Sequence, residues 1–253
     1  MRSVSLLGIP NMPMIKPGDD LAALICRCAT EAGLGIDEDD VVVIAQKIVS
    51  KAEGRLVRLS ETVPSARARE IAEITQKDPR FVEAVLSDTG RVLRTGPGLL
   101  IVEHRLGFVC ANAGVDRSNV AGDAGETIAL LPLDPDGSAS RIRDGIRAIT
   151  GQTVAVIIND SHGRAFREGA VGVAIGVAGL HPLTDERGQS DLFGYQMQVT
   201  TIGTADELAS AASLVMGQTD EATPVVIIRG ASYRRGPGDI QELLRERAKD
   251  LFR

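Results

Sequence analysis

Tryptophan is absent from the 253-residue chain, and only two tyrosines and five phenylalanines are present. That scarcity speaks against base-stacking platforms for single-stranded nucleic acid, which rest on aromatic faces. Positive charge is also in deficit, because 28 Lys and Arg against 34 Asp and Glu leave a formal net charge of −6. A general binder of nucleic acid or of an anionic membrane surface needs the opposite balance to release counterions. One small polyanion in a local basic pocket remains compatible with it. Cys26, Cys28 and Cys110 cannot all pair, and the first two fall on one predicted helix, so reduced thiols and a cytoplasmic setting are expected. Neither Cys-x-x-Cys nor His-rich spacing occurs, which argues against structural zinc. No apolar run approaches the length of a membrane span, and the N-terminus lacks a signal-peptide pattern, so no membrane partner is expected.

Missing motifs narrow the chemistry further. There is no Gly-x-x-x-x-Gly-Lys-Ser/Thr loop, no Gly-x-Gly-x-x-Gly after a first strand, and no Gly-x-Ser-x-Gly elbow. No cysteine has a histidine close enough in sequence to suggest a catalytic pair.

What is present is an ordinary globular composition, 43% apolar and 25% charged. No fixed-period repeat, low-complexity tract or long linker breaks the chain, so residues 1–253 read as a single domain, with two interwoven subdomains as the variant. Strands and helices are mixed without regular alternation, and the fold class expected is α+β.

Ser3 to Ile9 reads as a first strand, and Asp19 and Asp20 open a helix that Gly33 closes. Asp37 to Asp40 reads as a solvated acidic turn before a strand from Val41 to Ala45. Helices are expected from Ser65 to Gln76 and, capped by Asp78 and Pro79, on to Leu86. Leu99 to Val102 and Phe108 to Ala111 form a predicted hairpin with His104 exposed at its turn. Thr127 to Leu131 reads as a strand, Pro132 to Gly137 as a turn, and Ser138 as the start of a helix ended by Gly151. Val154 to Ile158 is a buried strand that empties into a polar turn, and Gly169, Gly172, Gly176 and Gly179 mark close packing. Thr204 to Glu207 reads as a capping box for a helix through Met216, Val225 to Ile228 as a late strand, and Ile240, Leu243, Leu244 and Leu251 as one face of a C-terminal helix.

Chemistry gathers where these strands end. Asp116 follows one strand; Asp160 and Ser161 follow another and offer hard oxygen ligands for Mg²⁺ or Mn²⁺. Gln46, Lys47 and Lys51 crowd the end of the Val41–Ala45 strand, where the lysines either face phosphates or coat a solvated surface. Arg164 and Arg167, three residues apart, either hold phosphate oxygens or are solvated and paired to Glu168 and Asp185. Carboxylates with lysines and arginines suit metal-assisted phosphoryl chemistry.

Six ordered blocks give this class a name: GIPNMPMIKPGDDL, VVVIAQKIVSKAEGR, VCANAGVDRSNV, LLPLDPDGSASRIRDGI, VIINDSHGRAFREGAVGVAIG and ASLVMGQ. Together they resemble the coenzyme F-420:L-glutamate ligase family over nearly the whole chain up to about Ser232. The resemblance implies a GTP-dependent enzyme that adds L-glutamate to the lactyl carboxylate of the deazaflavin F-420-0 and extends a γ-linked tail through an acyl phosphate. It implies an α+β body in an intertwined homodimer, with two divalent ions, Mg²⁺ or Mn²⁺, and K⁺ as a further candidate. By the same resemblance Asp116, Asp160, Ser161 and Gln218 hold the metals. Pro10, Asn11, Met12, Pro13, Gln46, Lys47, Lys51, Asn119, Met216, Gly217, Gln218, Thr219, Asp220, Glu221, Ala222 and Thr223 line the GTP site. Asp160 is taken as catalytic; Arg164 and Arg167 are added on charge and position alone, for phosphate or the acidic substrate.

Three departures from the family pattern stand out. Ser161 replaces a more usual Thr, and Thr219 to Ala222 replace a glycine-rich stretch. The chain is also too short for the nitroreductase-like domain that some relatives carry, so no flavin reduction is expected. Two rival readings of the same residues are a metal-dependent nucleotide phosphohydrolase and a catalytically silent deazaflavin- or nucleotide-binding module.

Overall fold

The computed structural model describes residues 3–120, 123 and 125–250. The elements run β1 (Ser5–Gly8), α1 (Leu21–Glu31), β2 (Val41–Ala45), α2 (Gln46–Ala52), β3 (Leu56–Arg58), α3 (Ala66–Thr75), α4 (Pro79–Ser87), β4 (Thr89–Gly96), β5 (Leu99–His104), β6 (Val109–Ala111), β7 (Thr127–Ala129), α5 (Pro135–Thr150), β8 (Ala155–Arg164), β9 (Arg167–Ala178), β10 (Thr184–Asp185), β11 (Thr201–Ile202), α6 (Thr204–Met216) and β12 (Val225–Arg229). Helices and mixed sheets together make an α+β fold.

A five-stranded sheet in the order β1-β12-β2-β8-β9 is the centre. Among the described residues only β2 and β8 run parallel, with Val41 opposite Ala155 and Ala45 opposite Asn159. Val41 to Ile44, Ala155 to Ile158 and Val225 to Ile228 are fully buried, as strands covered on both faces must be. On one face Val42, Ile44, Val156 and Ile158 pack with Ile25 of α1 and Ile142 and Ile146 of α5. On the other, Val43, Ile157 and Ile228 pack with Leu208 and Ala212 of α6. Gly172 and Gly176 permit these close approaches: a side chain would strike Ser213 of α6 at the first and Pro135 of α5 at the second.

Between β2 and β8 the chain builds a second core. Leu59, Ile71, Phe81, Val82, Val85, Leu100, Val102 and Ile128 cluster there, under the sheets β4-β5-β6 and β3-β7. The expected helix caps are in place, with Asp20, Ser65 and Asp78 each accepting a backbone N–H of the first turn.

Several expectations need correction. Asp40 is not solvated: it is 1% exposed and accepts a two-pronged hydrogen bond from Arg229, at 3.0 and 2.7 Å. His104 is not an exposed turn residue but 1% exposed, stacked on Phe108 with ring centroids 5.0 Å apart. α5 begins at Pro135 under an Asp134 cap, because proline suits a first helical position, so of the expected turn only Pro132 to Asp134 remains outside the helix and Pro135 to Gly137 form its first turn. Asn159 to Arg164 is strand rather than turn, since β8 carries on past the parallel pair to form a long antiparallel hairpin with β9. Gly169 has open space around it and a φ of +81°, so it serves the chain path rather than packing. Thr204 caps nothing: α6 starts after Gly203 without a side-chain cap, and Asp206 instead accepts the N–H of Ala174 in β9 at 2.9 Å. The C-terminal helix is two short 3₁₀ turns, Ile240–Leu243 and Arg247–Lys249, and Leu251 lies outside the described residues.

Candidate active site

The parallel strands β2 and β8 end side by side, and a cavity of about 670 Å³ opens there. Ligands of α/β sheets bind at this end of parallel strands, where chains diverge and backbone groups are unspent. Five segments enclose it: the loop after β1, the α2 start, the turn after β6, the continuing strand β8, and the loop after α6.

α2 starts directly at the end of β2, so Gln46, Lys47 and Lys51 project from its first two turns into the cavity. Lys51 is 6% exposed and donates to the Asn119 carbonyl at 2.7 Å. Burial and then the neighbouring Lys47 charge lower its pKa, while Asp116 pulls the other way. Lys47 lies 2.9 Å from the Asp116 carboxylate and 3.1 Å from Ser118 Oγ.

Three successive left-handed residues, Asn112, Ala113 and Gly114, redirect the chain after β6. Asp116 is then fixed by a two-way backbone bridge to Ala129, at 2.9 Å each way, and Arg117 lies over the Phe81 ring, 4.3 Å from its centre. The Asp116 carboxylate accepts from Ser118 N and Oγ, at 3.1 and 3.0 Å. A carboxylate held so firmly at the backbone presents its oxygens without having to order a loop first.

On β8, side chains alternate. Asp160 accepts from His162 Nε2 at 2.9 Å, and the His162 ring leans on Phe108. Ser161 donates to Gln218 Oε1 at 2.9 Å, joining the strand to the loop after α6. Asn159 is 5% exposed; its Nδ2 donates to Ser213 Oγ while its Oδ1 is buried without a partner. Cys110 faces the same space, and burial followed by the Asp160 charge pushes its thiol up to about 12, so it stays protonated.

The loop after α6 closes the opposite side, and Asn119 Nδ2 donates to the Thr219 carbonyl at 2.7 Å, so the two loops meet across the opening. Met12, Pro13, Gln46, Lys47, Lys51, Asn119 and Met216 to Thr223 all line the cavity, as do Asp116, Asp160 and Ser161. Pro10 and Asn11 lie outside its lining. Arg164 and Arg167 also lie outside it; they face each other across the β8–β9 tip, where Arg164 donates to the Glu168 carbonyl at 2.9 Å. Asp185 pairs with Arg187 instead. Ser118, His162, Asn112 and Asn159 are lining residues that sequence reasoning gave no role. Their signal was adjacency: each sits within three residues of Asp116, Asp160 or the cavity turns.

No group of three or more His, Cys, Asp and Glu side chains among the described residues is placed to hold a metal. The oxygen set Asp116, Asp160, Ser161 Oγ and Gln218 Oε1 suits hard ions such as Mg²⁺ or Mn²⁺, which accept hydroxyl and amide oxygens beside one or two carboxylates.

The family model described as F420-0:Gamma-glutamyl ligase matches residues 10–230. The chain belongs to that ligase family. Three relatives named coenzyme F420:L-glutamate ligase bear this out. The protein of Methanothermobacter thermautotrophicus is 50% identical over 252 residues, covering 99% of both chains. That of Methanopyrus kandleri is 46% identical over 249 residues, covering 97% of this chain and 96% of its own. That of Methanocaldococcus jannaschii is 43% identical over 254 residues, covering 100% and 98%. The F420-0:gamma-glutamyl ligase match spans every cavity-lining residue, so the whole site lies within the family's own sequence. Among the described residues no helix is long and apolar enough to cross a membrane.

Proposed function

We propose that this chain is a cytoplasmic, GTP-dependent ligase that joins L-glutamate to the lactyl carboxylate of F-420-0 and then extends a γ-linked tail. The observation that supports it most is the convergence, on one cavity, of two carboxylates, a hydroxyl, an amide oxygen and two lysines drawn from four separate segments. The names of the family and of the relatives support F420-0 and L-glutamate as two of the substrates.

Asp116, Asp160, Ser161 and Gln218 would hold two divalent ions, which when bound neutralise phosphate oxygens. Lys47 and Lys51 add positive charge at the same wall. In the proposed route the acceptor carboxylate takes the γ-phosphoryl group, GDP leaves, and the glutamate amine displaces phosphate from the acyl phosphate. Met216 to Thr223 and Asn119 would contact the nucleotide, and the loops joined at Asn119 and Thr219 would exclude water from the acyl phosphate. Cys110 stays a thiol and offers no competing nucleophile. K⁺ belongs to the proposed cofactors only as an ion for the nucleotide phosphates. Within one protomer this route uses neither Arg164 nor Arg167. A homodimer is proposed as well, because Leu192, Phe193 and Val199 are 98%, 94% and 84% exposed on the excursion between β10 and β11.

Incubation with F-420-0, L-glutamate, GTP and Mn²⁺ or Mg²⁺, read by mass spectrometry, should show the acceptor lengthened by glutamyl units with GDP formed in step. Phosphate release that needs neither glutamate nor deazaflavin would point to a phosphohydrolase. Nucleotide binding with no product would point to a binding module.

A further inference from the structure

The loop after α6 folds back on itself in an unusual way. Glu221 sends its carboxylate under the turn, where Thr219 N donates to Oε2 at 2.8 Å and Thr219 Oγ1 approaches the same oxygen at 3.3 Å. Backbone hydrogen bonds from Thr219, from Glu221 itself and from Gln218 hold the group below the ordinary carboxylate range. The neutralising groups are therefore main-chain N–H dipoles and the Thr219 hydroxyl rather than a lysine or arginine. The carboxylate lies directly over Gly217, whose φ is +68°; a Cβ there would collide with it.

Successive N–H groups turned toward one point by left-handed residues make a concavity that binds anions, phosphate among them. Gly217 and Ala222, with φ of +68° and +51°, bracket such a concavity here. It opens on the cavity that also holds Lys47 and Lys51, and the Thr219 carbonyl at its rim is tied through Asn119 to Lys51. A protein anion thus sits among main-chain donors on the wall of the same cavity.

We infer that Glu221 is an internal anion occupying a phosphate cradle made by its own loop, so that a ligand phosphate enters by displacing it. The inference rests on the nucleotide reading above and gives one side chain of the nucleotide-contacting loop, Glu221, a part that works against binding while the loop's main chain works for it. Displacement exchanges one set of charge-assisted hydrogen bonds for another, so the nucleotide gains only the difference. Exposed as it is, Glu221 can swing into solvent without disturbing the core.

The test compares wild type with Glu221→Gln and Glu221→Ala, titrating GDP with Mg²⁺ and, separately, inorganic phosphate, by calorimetry at low and at high ionic strength. High salt screens simple long-range repulsion and so controls for it. Both Glu221 variants should bind GDP roughly tenfold more tightly than wild type at either ionic strength, with phosphate following the same order. Equal or weaker GDP binding by the Glu221 variants would overturn the inference and leave the nucleotide reading standing. A gain that disappears at high salt would overturn it too. Failure of GDP to bind wild type and every variant would overturn the nucleotide reading and the inference with it.

Discussion

Two carboxylate clusters in this protein use the same residue types for opposite ends. Asp88, at the end of α4, is 4% exposed and sits 2.5 Å from Arg55 and 3.0 Å from Arg105, with His104 Nε2 at 3.8 Å. Arg55 also donates to the Leu131 carbonyl at 2.9 Å, so the cluster ties the second core to the segment leading back into the central sheet. Burial alone would raise the Asp88 pKa, but His104, Arg55 and Arg105 outweigh it and hold it at about 2. Asp116 and Asp160 are different: their side chains are 27% and 12% exposed, and each has one protein cation or histidine beside it on a cavity wall. The closed cluster has spent its charge on the fold. The open one retains oxygens that a ligand can use.

That contrast can be broken by mutating each cluster in turn. Asp160→Asn keeps shape but removes charge, so turnover in the ligase assay should fall roughly a thousandfold, about 4 kcal/mol of transition-state stabilisation, while the urea midpoint stays near wild type. Asp88→Asn should do the reverse. With two arginines left uncompensated it should cost about 3 kcal/mol of stability in denaturant unfolding, with turnover per folded molecule close to wild type.

Acid sharpens the same comparison with a smaller effect. Asp88 has a folded pKa of about 2, below its ordinary value of 3.8, so its stabilisation is complete above pH 4. It is lost as the pH falls from there toward 2, by about 2 kcal/mol. Unfolding free energies measured down through this range should decline in wild type, and Asp88→Asn should lack that part of the decline.

The sequence made some of this legible and not the rest, for physical reasons. VVVIA, VAVII and VVII are apolar runs that no solvated element tolerates, so the central strands could be read directly. Asp20, Ser65 and Asp78 act within one turn of their helices, so those caps were local facts as well. What failed depended on distant partners. Asp40 looks solvated until Arg229, 189 residues later, comes to meet it. His104 looks like a turn residue until Asp88 and Phe108 bury it. Strand β4 has no apolar run to announce it, because none of its residues is fully buried and only pairing with β5 defines it. At the site, carboxylates at strand ends were visible one at a time, and family resemblance grouped them. Arg164 and Arg167 were placed by charge alone, and a strand that continued where a turn was expected carried them away from the cavity.

The central claim is that the open cluster, and not the closed one, is the metal and phosphate site. Its most direct test is a Mn²⁺ titration in the presence of GDP, followed by electron paramagnetic resonance, on wild type, Asp160→Asn and Asp88→Asn, each shown to be folded. Wild type and Asp88→Asn should bind Mn²⁺ alike, and Asp160→Asn should lose at least one bound ion. Undiminished Mn²⁺ binding by Asp160→Asn, or its loss in folded Asp88→Asn, would contradict the account.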